Sequence, residues 1–276
     1  MAALITPEAL AARLGDPALR IFDATVLLDR PPEGGPYVAR PQRERYAAEH
    51  VPGAGFADLL EDFADPSAPF PFALPDAERF AAVAGAHGIG PGASVVTYSQ
   101  TSVMWATRLW WLLRYFGFDD VTVLDGGLTA WKAAGLPTSS DPVTYAPATF
   151  EPRERPELLA TRADVEAIVG GEPACLVNTL DPRVFRGEGP SSYSRPGRIP
   201  GSVNVPTSGL VDAETQRFAD GPAAFPPGPL VFYCGGGISA TVGVFAAALA
   251  GRDDARLYDG SLTEWTADPS LPVEVG

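Results

Sequence analysis

"VTVLDGGLTAW", residues 121–131, returns as "ARLYDGSLTEW", residues 255–265. Each is a short apolar run, an Asp-Gly turn and a helix-like segment that ends in tryptophan. The match extends towards the N-terminus of each half. "SVVTYS" (94–99) corresponds to "PLVFYC" (229–234). Before these stand apolar-Pro-Gly turns, in "EHVPGAGFADL" (49–59) and "GRIPGSVNVPTSGL" (197–210). Earlier still come the buried-strand patterns "LRIFDA" (19–24) and "ACLVNT" (174–179). Each of those follows a helix-like segment, "TPEALAARL" (6–14) or "TRADVEAIV" (161–169). Thr6 and Thr161 are placed as N-caps, and Pro7 suits a first helical turn. Matching order and spacing identify a duplication. Strands alternating with helices indicate parallel sheets covered by helices on both faces. The expected fold is therefore α/β, with tandem domains at 1–140 and 158–276. The proline-rich stretch 141–157 between them reads as an extended linker. Glycine- and proline-rich stretches near Pro31–Pro41 and Gly187–Gly201 read as long loops.

The chain has 276 residues, 46% of them hydrophobic, which is ample for two such domains. No apolar run is long enough to span a bilayer, and the N-terminus lacks the pattern of a secretion signal. Two cysteines, Cys175 and Cys234, are too few for a disulfide framework. A cytoplasmic protein with free thiols is the reading these features support. The formal net charge of −14 argues against nucleic acid and anionic membrane as partners. Lys132 is the only lysine; every other formal cation is arginine. An anionic substrate must be attracted locally, against the field of the whole protein.

The duplication singles out one cysteine. The strand in the first half ends in Ser99, and "QTSVMWATRLWWLL" follows it; the strand in the second half ends in Cys234, and "GGGISATVGVF" follows it. The same position is filled in one half and left as bare backbone in the other, so chemistry is expected in the second half only. Open α/β sheets bind ligands at the carboxyl ends of their strands. A helix starting near Ser239 or Ala240 would point its N-terminus at Cys234 and favour a thiolate over a thiol. The backbone of Gly235, Gly236, Gly237, Ile238 and Ser239 can then form a concavity that holds the thiolate and an anion beside it. Cys175 lies within a strand pattern and is read as core filler. So are Trp105, Trp110 and Trp111, at helical spacing.

Other chemistries fit poorly. Ala240 is the sixth residue after Cys234, and the loop has no arginine to close around a phosphate, as a cysteine phosphatase requires. No Lys-Ser/Thr pair follows the glycines, which excludes a P-loop. His50, His87 and the two cysteines show no metal-ligand spacing, so no metal is expected. His50 reads as a turn residue hydrogen-bonded to backbone.

These residues resemble the two-domain rhodanese family, the thiosulfate and 3-mercaptopyruvate sulfurtransferases. The likeness covers nearly the whole chain: both Asp-Gly…Trp segments, both apolar-Pro-Gly turns, and "YCGGGISA" as the cysteine loop. The resemblance implies an active site between the domains, with the first domain supplying part of the wall. It implies that Cys234 takes a sulfur atom from a small anionic donor and becomes a persulfide. Cyanide, a small thiol or a protein thiol then accepts that sulfur, in covalent ping-pong catalysis. Loop N–H groups stabilise the developing negative charge. No cofactor is implied.

Departures from the family pattern concern the donor. Gly236 stands where mercaptopyruvate-type members carry a serine. Asp58 matches an acidic relay residue, but Phe72 occupies the position of its histidine partner. In "NTLDPRVFRGE" (178–188), Asn178 replaces an aspartate and Val184 a substrate arginine. In "GRIPG" (197–201), Arg198 replaces a histidine. Arg183, Arg186, Arg195 and Arg198 lie nearby, and Arg183 and Arg186 are the expected donor-holding residues. Two other readings stay open on sequence alone: a non-catalytic binding protein on the same fold, and a persulfide carrier fed by another protein.

Overall fold

The first half runs β1 (Leu4–Ile5), α1 (Pro7–Ala11), β2 (Leu19–Asp23), β3 (Val26–Asp29), β4 (Val38–Pro41), α2 (Arg43–Ala48), β5 (Ala54–Phe56), α3 (Ala77–Ala86), β6 (Ser94–Tyr98), α4 (Met104–Tyr115), β7 (Val121–Leu124) and α5 (Gly127–Ala133). The second runs β8 (Leu159–Ala160), α6 (Arg162–Val169), β9 (Cys175–Asn178), α7 (Pro182–Phe185), β10 (Val203–Asn204), β11 (Leu230–Tyr233), α8 (Ala240–Leu249), β12 (Arg256–Tyr258) and α9 (Ser261–Ala267). The computed structural model describes residues 4–29, 31–189, 191–221 and 223–276. Each half builds a five-stranded sheet, in the order β1-β7-β6-β2-β5 and β8-β12-β11-β9-β10. All pairings in both sheets are parallel, so the two halves share one topology.

The repeated motifs are repeated contacts. Tyr98 and Tyr233 end the central strands, and their hydroxyls accept from the N–H groups of Val51 (3.2 Å) and Ile199 (3.1 Å). These bonds pin the two apolar-Pro-Gly turns. The indole N–H groups of Trp131 and Trp265 both donate over 2.8 Å, to the carbonyls of Pro137 and Pro272. The predicted caps also form: Thr6 Oγ1 accepts from Ala9 N–H, and Thr161 makes a reciprocal capping box with Asp164.

One continuous core joins the inner faces of the two sheets, with Phe22, Trp110, Phe232 and Phe245 in it. The outer faces carry separate clusters, around Tyr98 and Trp131 in one half and Tyr233 and Trp265 in the other. Trp105, Trp110 and Trp111 are all buried in the shared core. Trp110 meets Phe245 edge-on at 4.8 Å, so α4 packs on α8. That contact explains why α8 is apolar all round: it is buried from Ala240 to Ala248.

Two expectations change in detail. The stretch Pro31–Pro41 is only partly loop, because β3 and β4 pair antiparallel as a ribbon ending at Pro41. The segment between the domains has little regular structure but is strapped to the first domain. Ala148 N–H donates to Gly85 O, Arg153 N–H to Phe116 O and Arg155 N–H to Tyr115 O, each over 2.9 Å. Phe150 is buried against Phe80. No helix among the described residues is long and apolar enough to cross a membrane.

Candidate active site

Cys234 follows the last residue of β11, at the carboxyl end of the middle strand of the second sheet. Its loop runs to Ser239, the N-cap of α8. Ser261 holds this loop. Its Oγ accepts from Cys234 N–H (3.0 Å) and Gly237 N–H (3.1 Å), and donates to Tyr258 O (2.8 Å). Ser261 sits at φ 49, a left-handed conformation that costs about 1–3 kcal/mol for a non-glycine residue. Its three hydrogen bonds offset that strain. The first-half counterpart, Gly127, has φ 54 and no hydroxyl to offer. Leu128 N–H donates to Ser99 O and Leu262 N–H to Cys234 O, both over 3.2 Å, so Ser99 and Cys234 occupy equivalent sites.

Two of the loop's N–H groups are thus taken up by Ser261. Among the described residues, those of Gly235, Gly236, Ile238 and Ser239 meet no backbone acceptor. They border a cavity of about 40 Å³ beside Cys234. Leu28, Tyr37, Phe72 and Met104 close it from the first domain, and Leu180 and Tyr193 from the second. The loops carrying the tyrosines are joined by a bond from Gly35 N–H to Ser191 O (2.9 Å). Cys234 itself is only 2% exposed. Cys175, expected as core filler, is half-buried at the start of β9, far along the strand from this site. Burial pushes its thiol up.

The three glycines are unequal. A Cβ on Gly237 would stand 2.5 Å from Asp259 O and 2.6 Å from its Oδ1, and φ there is +75. A Cβ on Gly235 would run into the Tyr193 hydroxyl. At Gly236 the nearest atoms would be Tyr37 Oη at 3.3 Å and Thr263 Oγ1 at 3.6 Å. Gly237→Ala is therefore expected to cost about 2 kcal/mol or more, and Gly236→Ser less than about 1 kcal/mol. Urea unfolding of the two variants against wild type checks this; equal losses would count against the geometry.

The expected donor-holding arginines lie elsewhere. Arg183 is exposed and faces Glu188 at 3.9 Å. Arg186 makes a two-bond contact with Glu188, at 2.7 and 3.0 Å. Arg195 donates to the carbonyls of Trp265, Thr266, Asp268 and Leu271. Arg198 lies 4.6 Å over the Phe185 ring and bonds Glu274 and Gly276 O. Its backbone pairs with Glu274 as that of His50 pairs with Ser139, so Arg198 fills a structural position of the repeat. None of the four lines the Cys234 cavity, and neither does Val184, on α7. Phe72 does line it, so a ring without a titratable proton stands at the wall. Asp58 is buried away from the cavity, bonded to Arg43 and to the N–H groups of Leu60 and Glu61. His50 behaves as expected, its Nδ1 2.7 Å from Tyr46 O.

Sequence reading missed Ser261 and the groups that dock the domains. Asp125 and Asp259, equivalent in the repeat, each reach into the other domain. Asp125 Oδ1 accepts from Phe218 N–H (3.1 Å), and Asp259 Oδ2 from Leu74 N–H (2.9 Å). Burial raises the Asp125 carboxyl above the usual range. Asp259 also takes Arg108 Nη1 at 2.5 Å, while Arg108 Nη2 donates to Phe72 O at 2.6 Å. The signal for Ser261 was a serine where the first copy of the repeat has glycine. Arg108 gave none, because it lies in a helix whose tryptophans dominate its pattern.

A model of the rhodanese-like domain matches residues 6–134 and 172–268. The "Probable 3-mercaptopyruvate sulfurtransferase" of Pseudomonas aeruginosa is 35% identical, over 100% of this chain and 99% of the relative. The human 3-mercaptopyruvate sulfurtransferase is 34% identical, over 94% of this chain and 88% of the relative. Among solved structures, that of SseA from Escherichia coli, described with the 3-mercaptopyruvate sulfotransferases, superposes with a TM-score of 0.77 at 27% identity, covering 95% of this chain and 99% of that one. The chain belongs to the rhodanese-like domain family, with two such domains in tandem, and it is a sulfurtransferase.

Proposed function

We propose that Cys234 carries the transferred sulfur, and that the donor is a small anion of the 3-mercaptopyruvate or thiosulfate kind. The thiolate attacks the donor's sulfur. With thiosulfate the S–S bond breaks and sulfite leaves with the electron pair. With mercaptopyruvate the C–S bond breaks and pyruvate leaves as its enolate, which takes a proton. The resulting persulfide is attacked at its outer sulfur by cyanide or a thiol, and Cys234 leaves as thiolate. The observation that carries this reading is the position of Cys234, at a strand end beside four loop N–H groups that meet no backbone acceptor among the described residues, and beside a cavity closed by the other domain. Those N–H groups, and not Arg183 or Arg186, are the donor-holding groups the placement favours. The curated relatives that act on mercaptopyruvate support that donor for this chain.

A carrier fed by another protein, or a protein thiol as acceptor, needs a partner's cysteine to reach a sulfur that is 2% exposed, so small substrates are favoured. The division of labour follows: residues 1–140 form a non-catalytic wall, 141–157 the connection and 158–276 the catalytic domain. A cytoplasmic location without nucleic-acid or membrane partners accords with the charge of −14. The test is peptide mass spectrometry after incubation with each donor, beside steady-state assays with cyanide. The peptide holding Cys234 should gain the mass of one sulfur atom and that holding Cys175 none. Sulfur on Cys175, or on neither, would overturn the assignment.

A further inference from the structure

Few side chains at the Cys234 cavity can give up a proton. Among the described residues that line it there is no Asp, Glu, His, Lys or Arg. Besides Cys234 itself, the proton-bearing side chains are those of Ser239, Tyr37 and Tyr193. Ser239 carries an aliphatic hydroxyl, a far weaker acid than a phenol, and its Oγ lies 3.3 Å from Thr179 Oγ1. The two tyrosines meet the glycine loop differently. The end of the Tyr193 ring is seated on the backbone of Gly235, where a Cβ would stand 2.6 Å from Cζ and 2.8 Å from Cε1. Tyr37 stands further off. Its Oη is the nearest atom to a Cβ built on Gly236, at 3.3 Å. Gly236, unlike Gly237, has no positive φ, so its backbone does not demand glycine. The room that a side chain at 236 would take faces the Tyr37 hydroxyl instead. Tyr37 immediately precedes β4, and its loop is tied to the second domain by the bond from Gly35 N–H to Ser191 O. The first domain thereby brings one phenol to the cysteine loop.

Resting on the persulfide reading of Cys234 with mercaptopyruvate as donor, we propose that Tyr37 sets the choice of donor: its hydroxyl supplies the proton that the carbon released from mercaptopyruvate needs. A space of about 40 Å³ has room for only a few water-sized groups. In mercaptopyruvate the carbon to be protonated is bonded directly to the sulfur under attack. The two atoms therefore reach the cavity together, whichever way the carboxylate end lies, and Tyr37 is on its wall. The Cys234 thiolate attacks that sulfur and forms the S–S bond. The C–S bond breaks, and its electron pair goes to carbon as the enolate of pyruvate. The Tyr37 O–H gives its proton to that carbon, which becomes the methyl group of pyruvate. The phenolate then takes the proton brought by the donor's own thiol, now on the outer sulfur of the persulfide. A phenol is a stronger acid than the methyl group so formed, and the transfer runs downhill. Thiosulfate needs no such help, because sulfite leaves with the electron pair of the S–S bond and takes no proton. The nucleophile and its loop stay with the second domain; the wall built by the first adds one hydroxyl that matters for one donor and not the other.

Tyr37→Phe removes the hydroxyl and keeps the ring, and Tyr193→Phe does the same on the other side of the loop. Persulfide formation on Cys234 is followed in single turnovers with mercaptopyruvate and with two donors whose leaving groups need no proton on carbon, thiosulfate and inorganic polysulfide. For Tyr37→Phe the expected result is loading from mercaptopyruvate slowed about a hundredfold, with loading from the other donors within about twofold of wild type. A merely structural loss would slow every donor together, since all meet the same thiolate. Tyr193→Phe should leave the ratio between donors at its wild-type value. An unchanged ratio in Tyr37→Phe overturns the proposal, and so does a loss specific to mercaptopyruvate in Tyr193→Phe alone. Wild type that loads from thiosulfate or polysulfide but not from mercaptopyruvate also overturns it, while leaving Cys234 as the sulfur carrier. Loading from none of the three would overturn the reading of Cys234 and this proposal with it.

Discussion

Cys234→Ser should abolish sulfur transfer, by about four orders of magnitude or more, while Ser99→Ala should leave turnover within about twofold of wild type. The two residues occupy one position of the repeated fold, since each carbonyl accepts from the leucine N–H of its own Asp-Gly segment over 3.2 Å. Their surroundings differ. Ser99 Oγ lies among hydroxyls, 3.3 Å from Thr25 Oγ1 and 3.4 Å from Thr101 Oγ1, and it accepts from Thr101 N–H. Gln100, the next residue, bonds Asp23 and Glu49 O where the second half has its glycine loop. A serine at 234 keeps the shape of the site but lacks a polarisable thiolate, so it neither attacks sulfane sulfur nor holds it. Steady-state turnover with saturating donor, for both variants beside wild type, is the measurement. Comparable losses would mean that the first domain takes part directly in the chemistry.

The parts of this structure that were legible in the sequence are those carried by local pattern. Thr6 and Thr161 announce helix starts through their own hydroxyls. Tyr98, Tyr233, Trp131 and Trp265 recur at fixed spacing because each pins a turn within its own half. Cys234 stands out because glycines surround it where its counterpart has bulky side chains. What was not legible depends on how the halves dock. Arg108 and Asp259 are 151 positions apart, and no periodicity links them. Tyr37 and Tyr193 meet the glycine loop from opposite domains. Arg183 and Arg186 were read by proximity to the family's substrate arginine. Glu188, two residues beyond Arg186, claims them instead, because an ion pair close in sequence forms without crossing to the cavity.

Arg108→Met should cost about 3–5 kcal/mol of stability, and Arg108→Lys should recover only part of it. Arg108 is 1% exposed, with its guanidinium 5.2 Å over the Trp111 ring and its fork divided between Asp259 and Phe72 O. Methionine fills much of the space but leaves the Asp259 carboxylate in the domain interface with, among the described residues, the Leu74 N–H as its remaining hydrogen-bond donor. Lysine keeps the charge but, as a single point donor, cannot serve two acceptors set by a planar fork. Removing both charges together, in Arg108→Met with Asp259→Leu, should therefore cost less than the two single changes added. A loss of this size is a large part of the 5–15 kcal/mol or so by which domains are stable, so the single variants remain folded only in mild conditions. Activity should fall as well, because the ion pair joins the two walls of the site. Phe72 lines the cavity at φ 65, held through its carbonyl by Arg108, and Asp259 packs on Gly237 two residues before Ser261. With the pair gone, kcat/KM should drop about tenfold or more at temperatures where circular dichroism still reports full folding. Urea unfolding of wild type, both single variants and the double variant closes the cycle. Additivity within about 0.5 kcal/mol would show that Arg108 and Asp259 do not act as a pair, and unchanged kcat/KM in the folded single variants would show that docking does not shape the site.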